Sequence, residues 1–473
     1  MNILTQSLIE FQKELSIDSS LYQEISKLIS TVYQNPNIDN YVKLVQETDK
    51  ELKNKALTLI KKVFETADYI FRNSKERRQS YYVKQTRNRT IITVFGDLTY
   101  CRTEYRDRRN KTPFCYVDWK FGIGKWERYD SCIQAMIVDA YADSNSMIKV
   151  GKIIGDRISG SFNTTVKNTA IHRQTVQNIL LRYPNLDSEI TKAAYTPSTL
   201  YIMADEKFIP IQGQPDPPNR EMIKMAIIFE GIQAIKRKDG SLTKRKRILN
   251  KTIVANTNND FWDSVIDTLY KKYDMEKVEN IYLMGDGASW IKTGVDLLKY
   301  PTNNVTFGID SFHFNQAIKK ISPNKPVCDI LRNYARHNLK DEFQYVVDSI
   351  IDNSLEKDET IQKNLSYIKN QWDYYQISVN QIEVGCPMEQ AIAHILSSVF
   401  TNVAKAYSRN HLHTYLNNRI LYQNNHDIRS VVLSKIYEET NYNNEFDFSI
   451  FEHKIQPTNP TIQEFNKNII TKF

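Results

Sequence analysis

A short segment decides the fold of this chain, and it reads Asn-Ile-Tyr-Leu-Met-Gly-Asp-Gly-Ala-Ser-Trp-Ile over residues 280–291. Its first five residues are mostly apolar and too few for a helix, whereas apolar side chains recur at helical spacing from Trp290 onward. The segment therefore predicts a buried strand that ends at Asp286 and leads into a helix. In open α/β sheets, ligands gather at the carboxyl ends of the strands. Asp286 is accordingly a candidate site residue, and the glycines on either side of it leave room for a phosphate or a metal ion.

Further strand patterns lie on both sides of this segment. Residues 200–204 form a compact apolar strand that ends at Asp205, and residues 222–232 and 248–255 are two strands joined through a basic hairpin. An amphipathic helix pattern follows, and a last strand over 305–309 ends at Asp310. Three hairpin-linked strands, then helix, strand, helix, strand and helix, is the order of a ribonuclease-H-like core. The sequence thus predicts an α/β fold, with a helical insertion before the helix that carries Glu389.

Two aspartates at strand ends are the main candidates for chemistry. The strands that end at Asp205 and Asp286 are neighbours in the inferred core, so we expect their carboxylates to converge. Two ionised carboxylates at that distance repel unless a cation shares them, and hard oxygen ligands suit Mg²⁺ or Mn²⁺. The alternative for either aspartate alone is a turn or helix cap. We expect the third ligand to be Glu389, which borders the apolar face of its helix, and the competing candidate is Glu383 in the preceding loop.

Asp310 and His313 form a second polar cluster at a strand end. His313 is a candidate for contacting a scissile phosphate or for positioning Asp310. The alternative is a histidine at a helix start that its neighbours satisfy. Both residues are therefore accessory candidates.

The segments before the core have a different spacing of apolar residues. Helical spacing over residues 3–70 gives way to two strand patterns, 90–95 and 98–105, around the predicted turn Gly96-Asp97, and helical spacing returns over 132–183. The latter stretch is interpreted as a helix-turn-helix or, alternatively, as a plain helical linker. We divide the chain into a helical region (1–74), a basic hairpin region (75–120), a helical region (121–195), a core (196–320), an insertion (321–381), a glutamate helix (382–410) and a C-terminal tail (411–473).

Positive charge is concentrated in two places. The formal net charge is +8, but residues 75–111 alone hold 11 Lys or Arg against 4 Asp or Glu, and residues 236–247 hold a second basic cluster. Such clusters favour polyanions through counterion release, although a solvated surface is the alternative. We therefore expect DNA as partner. The candidate DNA-binding residues are Arg87, Arg89, Arg102, Arg173, Lys236, Arg237, Lys244 and Arg245.

Composition excludes several other classes. Five scattered cysteines without a C-x-x-C pair argue against a disulfide framework or structural zinc and suit a reducing cytoplasm. The amphipathic N-terminus differs from a signal peptide, and no apolar run approaches the roughly 20 residues of a membrane helix. The segment Gly122-Ile123-Gly124-Lys125 lacks the spacing of a phosphate-binding loop, which disfavours an NTPase. We expect a cytoplasmic protein without a membrane partner.

Four motifs resemble those of the Lre-two-type insertion-sequence transposases, a bacterial DDE group long described as an uncharacterised protein family, with a core similar to Mutator-like transposases. They are Ala204-Asp205-Glu206, the 284–291 segment around Asp286, Asp310-Ser311-Phe312-His313, and Gly385-Cys386-Pro387-Met388-Glu389 with the residues 394–398 that follow. The likeness runs from about residue 75 to 410. The segment around Asp286 is its most specific element.

The resemblance implies Asp205, Asp286 and Glu389 as metal-binding acids, and cleavage and strand transfer of the ends of a bacterial insertion sequence as activity. It also implies terminal repeats and target DNA as partners and a homo-oligomer on DNA, because two element ends must be paired. Where the family usually has Ala-Glu-Gly, this chain has Met388-Glu389-Gln390. Two alternatives stay open, namely a ribonuclease-H-like nuclease or resolvase and a catalytically inactive DNA-binding derivative.

Overall fold

The computed structural model describes residues 38–144, 146–159, 170–213, 219–237, 241–352, 359–401 and 406–442. The helices that the sequence predicts before residue 38 lie outside these residues. No helix in the described part of the chain is long and apolar enough to cross a lipid bilayer.

The N-terminal part joins a long helix to a β-hairpin. Helix α1 spans Ile38–Asn73 and α2 spans Lys75–Ser80, and they lead into the hairpin of β1, Tyr81–Thr93, and β2, Gly96–Asp107. The short strand β3, Pro113–Phe114, and helix α3, Tyr116–Lys120, follow. Helix α1 packs on β2, and Phe64 of α1 contacts the ring of Tyr100 edge-on at 4.9 Å between centroids. This packing gives the hairpin a small hydrophobic core of its own.

The hairpin turn lies two residues earlier than the sequence predicts. Thr93 pairs with Gly96, so the turn residues are Val94 and Phe95, and Gly96-Asp97 begins β2. The Thr93 hydroxyl accepts a hydrogen bond from the Phe95 N–H at 3.1 Å and donates one to the Gly96 carbonyl at 3.0 Å. Gly96 has φ +117°, a conformation that side-chain-bearing residues rarely adopt. The Thr93 hydroxyl therefore stabilises the turn, and Gly96 provides the positive φ at the start of β2.

Three helices precede the central sheet: α4 spans Ser131–Ser144, α5 Met147–Ser159 and α6 Arg173–Arg182. His172 caps α6, because its Nδ1 accepts the N–H of Gln174 at 3.2 Å. Residues 160–169, between α5 and α6, lie outside the described residues, so the helix-turn-helix interpretation of this region stays a prediction.

The central sheet is mixed and has five strands. The strands of this part of the chain are β4 (Thr199–Pro210), β5 (Arg220–Phe229), β6 (Gly231–Lys236), β7 (Leu242–Leu249), β8 (Thr252–Asn256), β9 (Asn280–Gly285) and β10 (Asn304–Ile309). The sheet order is β10-β9-β4-β5-β8, with β4, β9 and β10 parallel and β5 and β8 antiparallel to their neighbours. β6 and β7 form a separate two-stranded ribbon that continues β5 and β8.

Strand β4 is longer than the sequence predicts, since it runs through Asp205 instead of ending there. Residues beyond Asp205 stay extended because they keep pairing with β5, from Asp205 opposite Met225 to Pro210 opposite Arg220. Parallel pairing with β9, by contrast, stops at Met203. Asp205 thus lies just beyond the point where the pairing of β4 with β9 ends, while the pairing of β4 with β5 continues.

Both faces of the sheet are buried by helices. The remaining elements are α7 (Phe261–Lys272), a 3₁₀ turn (Met275–Lys277), α8 (Ser289–Leu297), α9 (Ser311–Ile321), α10 (Lys325–Arg336), α11 (Lys340–Asp352), α12 (Glu359–Asn380), α13 (Met388–Ile392), a π-helix (Ala393–Thr401), α14 (Arg409–Gln423) and α15 (Ile428–Tyr442). Alternate residues of β4 enter different cores, with Met203 on the side of α4, α6 and α13–α15 and Ile202 on the side of α7–α12. This alternation follows from the two-residue period of a strand.

Two predicted regions are integral to these cores. Within the predicted insertion, 321–381, the described residues form α10, α11 and α12, and α12 packs on β10 and α9, where Tyr375 stacks on Phe314 at 4.0 Å between centroids. The region predicted as a C-terminal tail, 411–473, begins with helices, because α14 and α15 bury Leu412, Leu416 and Val432 in the first core. Their apolar residues were too irregularly spaced to predict that packing.

A candidate metal centre at the strand ends

Three aspartates occupy equivalent positions at one edge of the sheet. Met284 of β9 pairs with Met203 of β4 on one side and with Gly308 of β10 on the other. Two residues beyond each member of this row comes an aspartate: Asp205, Asp286 and Asp310. Neighbouring strands lie about 4.8 Å apart, so the register brings the three backbones to the same level.

Glu389 and His313 approach this row from helices. Helix α13 packs on β4 and buries Met388 and Ile392 in the first core, which leaves Glu389 beside the strand ends. His313 lies in the first turn of α9, and its Nε2 is 3.3 Å from Glu389 Oε1 and 4.0 Å from Asp310 Oδ2. One ligand atom from each of Asp205, His313 and Glu389 lies within 4.8 Å of the other two. This is the tightest association among the candidate residues.

Asp286 is beside this cluster but engaged differently. Its Oδ1 accepts the N–H of Ala288 at 2.9 Å, and its carbonyl oxygen accepts the hydroxyl of Tyr367 at 3.0 Å. Its negative charge nevertheless acts on Asp205 and Asp310. The alternative acid, Glu383, is exposed and acts on Tyr201 instead, so the structure brings Glu389 and not Glu383 to the strand ends.

The glycines around Asp286 are required by the packing. A Cβ on Gly285 would lie 2.8 Å from the carbonyl oxygen of Ala204 in the neighbouring strand, and Gly287 has φ +92°. A Cβ on Gly287 would also lie 2.9 Å from the side chain of Gln371 on α12. The Gly-Asp-Gly sequence therefore lets the chain turn sharply between β9 and α8 under two close neighbours.

Burial raises the free-energy cost of keeping Asp205 and Asp310 ionised when no positive charge lies beside them. The pKa of Asp205 is raised to about 7, first by burial and then by the charges of Asp286 and Glu389, while the Glu206 N–H and His313 oppose the shift. Burial also raises the pKa of Asp310, whose side chain caps α9 through the Phe312 N–H at 2.9 Å. Carboxylate and imidazole donors that converge while their charges repel fit a divalent cation.

This electrostatic cost predicts a pH dependence for the metal-free protein. The pKa of Asp205 in the folded state, about 7, exceeds its ordinary value of 3.8, so the folded chain binds this proton more strongly than the unfolded chain. Between pH 4 and pH 7 the free energy of unfolding should therefore fall as pH rises, by up to about 4 kcal/mol from this group. Denaturant unfolding in a chelator at pH 5 and pH 8 measures it. Asp205→Asn should flatten this dependence, and an unchanged slope in that variant would contradict the assignment.

One residue that supports the helix of Glu389 escaped the sequence analysis because it lies in the region predicted as a C-terminal tail. Arg419 of α14 is buried, and its guanidinium donates to the carbonyl oxygens of His394 and Ile395 in the π-helix and of Ala142 and Asp143 in α4. The π-helix continues directly from the helix of Glu389. Arg419 therefore ties the glutamate helix to the helical region before the sheet.

The predicted DNA-binding residues differ in their surroundings. Arg87 is exposed on β1, Arg173 is exposed at the start of α6, and Lys236 and Arg237 are exposed at the end of β6. Lys244 and Arg245 lie on β7. Arg102 is partly exposed and pairs with Asp118.

Arg89 is the exception and is corrected here. Its side chain is buried, with Nη1 2.6 Å from Asp118 Oδ2 and Nη2 donating to the carbonyl oxygens of Gly124 and Glu127. Both terminal nitrogens of this guanidinium thus donate hydrogen bonds inside the protein. Arg89 therefore anchors the hairpin to the α3 region, and we remove it from the DNA-binding set.

Comparisons with known proteins extend this description. A UPF0236 protein of Caldanaerobacter subterraneus subsp. tengcongensis is 25% identical over 442 residues, covering 92% of this chain and 86% of that protein. A second one from the same organism is 26% identical over 407 residues, covering 84% and 81%. Among solved structures, the Drosophila P element transposase strand transfer complex aligns with a TM-score of 0.24 and 9% identity over 71% of this chain and 87% of that one, a similarity too low for any inference. The family model described as "Uncharacterised protein family (UPF0236)" matches residues 36–436, and the chain accordingly belongs to that family.

Proposed function

We propose that this protein is a metal-dependent DNA transposase of the DDE type, with a ribonuclease-H-like core that acts on the ends of an insertion sequence. The observation that carries the proposal is the row of Asp205, Asp286 and Asp310 at one register level, faced by Glu389 and His313. The sheet supports the fold assignment, since three antiparallel strands are followed by two parallel strands on the other side of β4. The motifs around Asp205, Asp286 and Glu389 resemble those of the Lre-two-type insertion-sequence transposases.

In this proposal each acid has a defined task. Asp205 sits between Asp286 and Glu389, and these three carboxylates hold Mg²⁺ or Mn²⁺. When bound, such ions supply an activated water or DNA 3′-hydroxyl and stabilise the leaving oxygen of the phosphodiester. Asp310 fixes the start of α9 through its cap and so orients His313. No covalent protein intermediate is needed, because the attacking oxygen comes from water or from DNA.

The basic segments then bind DNA. Exposed Arg87 on the hairpin, Arg173 on α6 and the Lys236-Arg237 pair on the ribbon offer positive charge in three separate elements. A two-stranded ribbon such as β6–β7 has dimensions that the major groove admits. Because strand transfer joins two element ends, we also propose that the active form on DNA is a homo-oligomer.

The test uses purified full-length protein, Mn²⁺ and a duplex that carries an element end from the DNA flanking the gene. Transfer of a 3′ end into a target plasmid supports the transposase. Cleavage without joining supports a nuclease or resolvase, and specific binding without cleavage supports an inactive DNA-binding derivative. Either of the latter outcomes refutes the proposed function.

Two arginines on β1 separate DNA binding from folding. Arg87→Ala should weaken DNA affinity several-fold and reduce the salt slope by about one, because it removes one phosphate contact. Arg89→Met should leave Asp118 with Arg102 and Tyr100 as partners but the carbonyl oxygens of Gly124 and Glu127 without this donor, and cost about 1–3 kcal/mol of stability. Fluorescence anisotropy across salt concentrations measures the first effect and thermal unfolding the second. A stable Arg89→Met variant with reduced DNA affinity would reverse our assignment of the two residues.

A further inference from the structure

The tightest group of potential ligands at the strand ends contains a nitrogen donor. We propose that His313 Nε2 binds the cation directly, so that the ion is held by one imidazole and two carboxylates, from Asp205 and Glu389, and that the site therefore prefers Mn²⁺ over Mg²⁺. The inference rests on the proposed function in so far as the same carboxylates hold the ion. It adds a ligand outside the Asp-Asp-Glu set and a preference among metals.

The position of His313 is set by the packing of its helix. The next residue, Phe314, is fully buried and stacks on Tyr375 in the second core. Ala317, Ile318 and Ile321 continue the same buried face of α9. This fixes the rotation of the helix. Since consecutive helical residues point about 100° apart, His313 is turned from that core toward the strand ends.

The imidazole presents one particular nitrogen to the acids. Nε2 is the atom nearest both Glu389, at 3.3 Å from Oε1, and Asp310, at 4.0 Å from Oδ2. Asp205 also places a carboxylate oxygen within 4.8 Å of the ligand atoms of His313 and Glu389. Ligands about 2.1 Å from a shared ion lie up to about 4 Å apart. Small side-chain rotations are therefore enough to bring the three donors onto one ion.

An ordinary ion pair between His313 and Glu389 explains less of this arrangement. The side chains are 30% and 44% exposed, and a pair this exposed contributes little to stability. Such a pair also gives no reason for a third group, the half-buried carboxylate of Asp205, to converge on it against the repulsion of Glu389. A cation shared by all three groups removes that repulsion.

The donor set determines which ion fits. Mg²⁺ is bound by oxygen ligands and keeps several waters, whereas imidazole nitrogen suits Zn²⁺, Cu²⁺, Fe²⁺ and Ni²⁺, and Mn²⁺, the weakest binder of the first-row series, still accepts a nitrogen ligand more readily than Mg²⁺. A site with two carboxylates and one imidazole therefore favours a divalent transition ion, for which Mn²⁺ is the probe. Asp286 lies outside this group and offers oxygen alone.

The experiment measures metal binding directly, without DNA. Full-length wild type, His313→Gln and the control His337→Gln, an exposed histidine after α10, are titrated with Mn²⁺ and with Mg²⁺ by calorimetry. Mn²⁺ electron-spin-echo spectra of the same samples are recorded for coupling to ¹⁴N. We expect nitrogen coupling in wild type and in the control and none in His313→Gln, together with an at least about tenfold fall in the Mn²⁺-over-Mg²⁺ affinity ratio.

A second variant tests whether His313→Gln loses metal affinity only because the substitution disrupts the site. His313→Asp replaces the nitrogen with an oxygen, so it should bind Mg²⁺ at least as well as wild type while the nitrogen coupling disappears. The inference fails if wild type shows no nitrogen coupling, if coupling persists in His313→Gln, or if the affinity ratio stays within twofold. If the wild-type protein carries out strand transfer but its Mn²⁺ shows no nitrogen coupling, this inference alone is refuted. If its Mn²⁺ shows nitrogen coupling but the protein neither cleaves nor joins DNA, only the proposed function is refuted.

Discussion

The substitution Asp205→Asn should lower the rate of metal-dependent cleavage of an element end at least about a thousandfold, equivalent to about 4 kcal/mol of transition-state stabilisation. Asp205 is central because it is half-buried and electrostatically linked to Asp286, His313 and Glu389 alike. An amide keeps the shape of the side chain but removes the charge that holds the cations. Single-turnover cleavage with saturating Mn²⁺ measures the loss, and calorimetry should show that Mn²⁺ affinity falls with it.

Folding and DNA binding provide the internal controls for this variant. Without metal at pH 8, Asp205→Asn should be more stable than wild type, because it no longer buries an ionised carboxylate. DNA affinity should stay near wild type, since Asp205 belongs to the proposed metal site and not to the exposed basic segments. Asp296→Asn is a matched control, because Asp296 is an exposed acid on α8 that pairs with Lys299. Wild-type cleavage by Asp205→Asn would remove this residue from the catalytic set.

Much of the candidate site follows from the sequence, because strand ends and their aspartates depend on local patterns. The apolar run before Asp286 and its flanking glycines are local features, and they predict both the buried strand and the aspartate at its carboxyl end. The length of β4 is a different matter. Residues 206–210 are extended because β5, the next strand along the chain, pairs with them, and the local apolar pattern of residues 200–204 does not reveal how far that pairing runs.

Charge clusters show the limit of reasoning from composition. Arg87 and Arg89 are two residues apart in one basic strand, and the sequence treats them alike. In the structure one faces solvent and the other is enclosed by Asp118 and two backbone carbonyls. Likewise, the sequence around His313 does not predict its contact with Glu389, which lies 76 residues further along the chain. The two side chains come together because their helices pack on the same sheet.

Loss of Arg419 should destabilise the fold, and its effect should reach the candidate metal centre. Its guanidinium meets two carbonyl groups at the end of α4 and two in the π-helix, at 3.1–3.3 Å. The last carbonyls of a helix have no partner within it, and positive charge is favourable at that end. The Arg419 side chain thus donates hydrogen bonds to backbone carbonyl groups of both helical segments where they pack against each other.

We therefore expect Arg419→Met to cost about 3–5 kcal/mol, since it removes the donor to the carbonyl oxygens of Ala142 and Asp143 at the end of α4 and the contact with the π-helix. Arg419→Lys should cost less, because an ammonium group can reach part of the same set. Chemical denaturation measures both values. At temperatures where the variants remain folded, Mn²⁺ affinity should also fall, because the π-helix that Arg419 holds continues from the helix of Glu389. Stability lost without any change in metal affinity would show that Arg419 supports the fold and not the site.

Arg429→Met is the control that separates this role from the removal of any arginine in the same region. Arg429 lies on α15, its side chain is 49% exposed, and it pairs with Asp139 of α4 at 2.7 Å. An exposed pair of this kind contributes about 0–1 kcal/mol. Both arginines bridge a C-terminal helix to α4, so they differ chiefly in burial and in what their guanidinium groups contact. Equal destabilisation by the two substitutions would mean that the link to α4 matters and that the carbonyls of the π-helix do not.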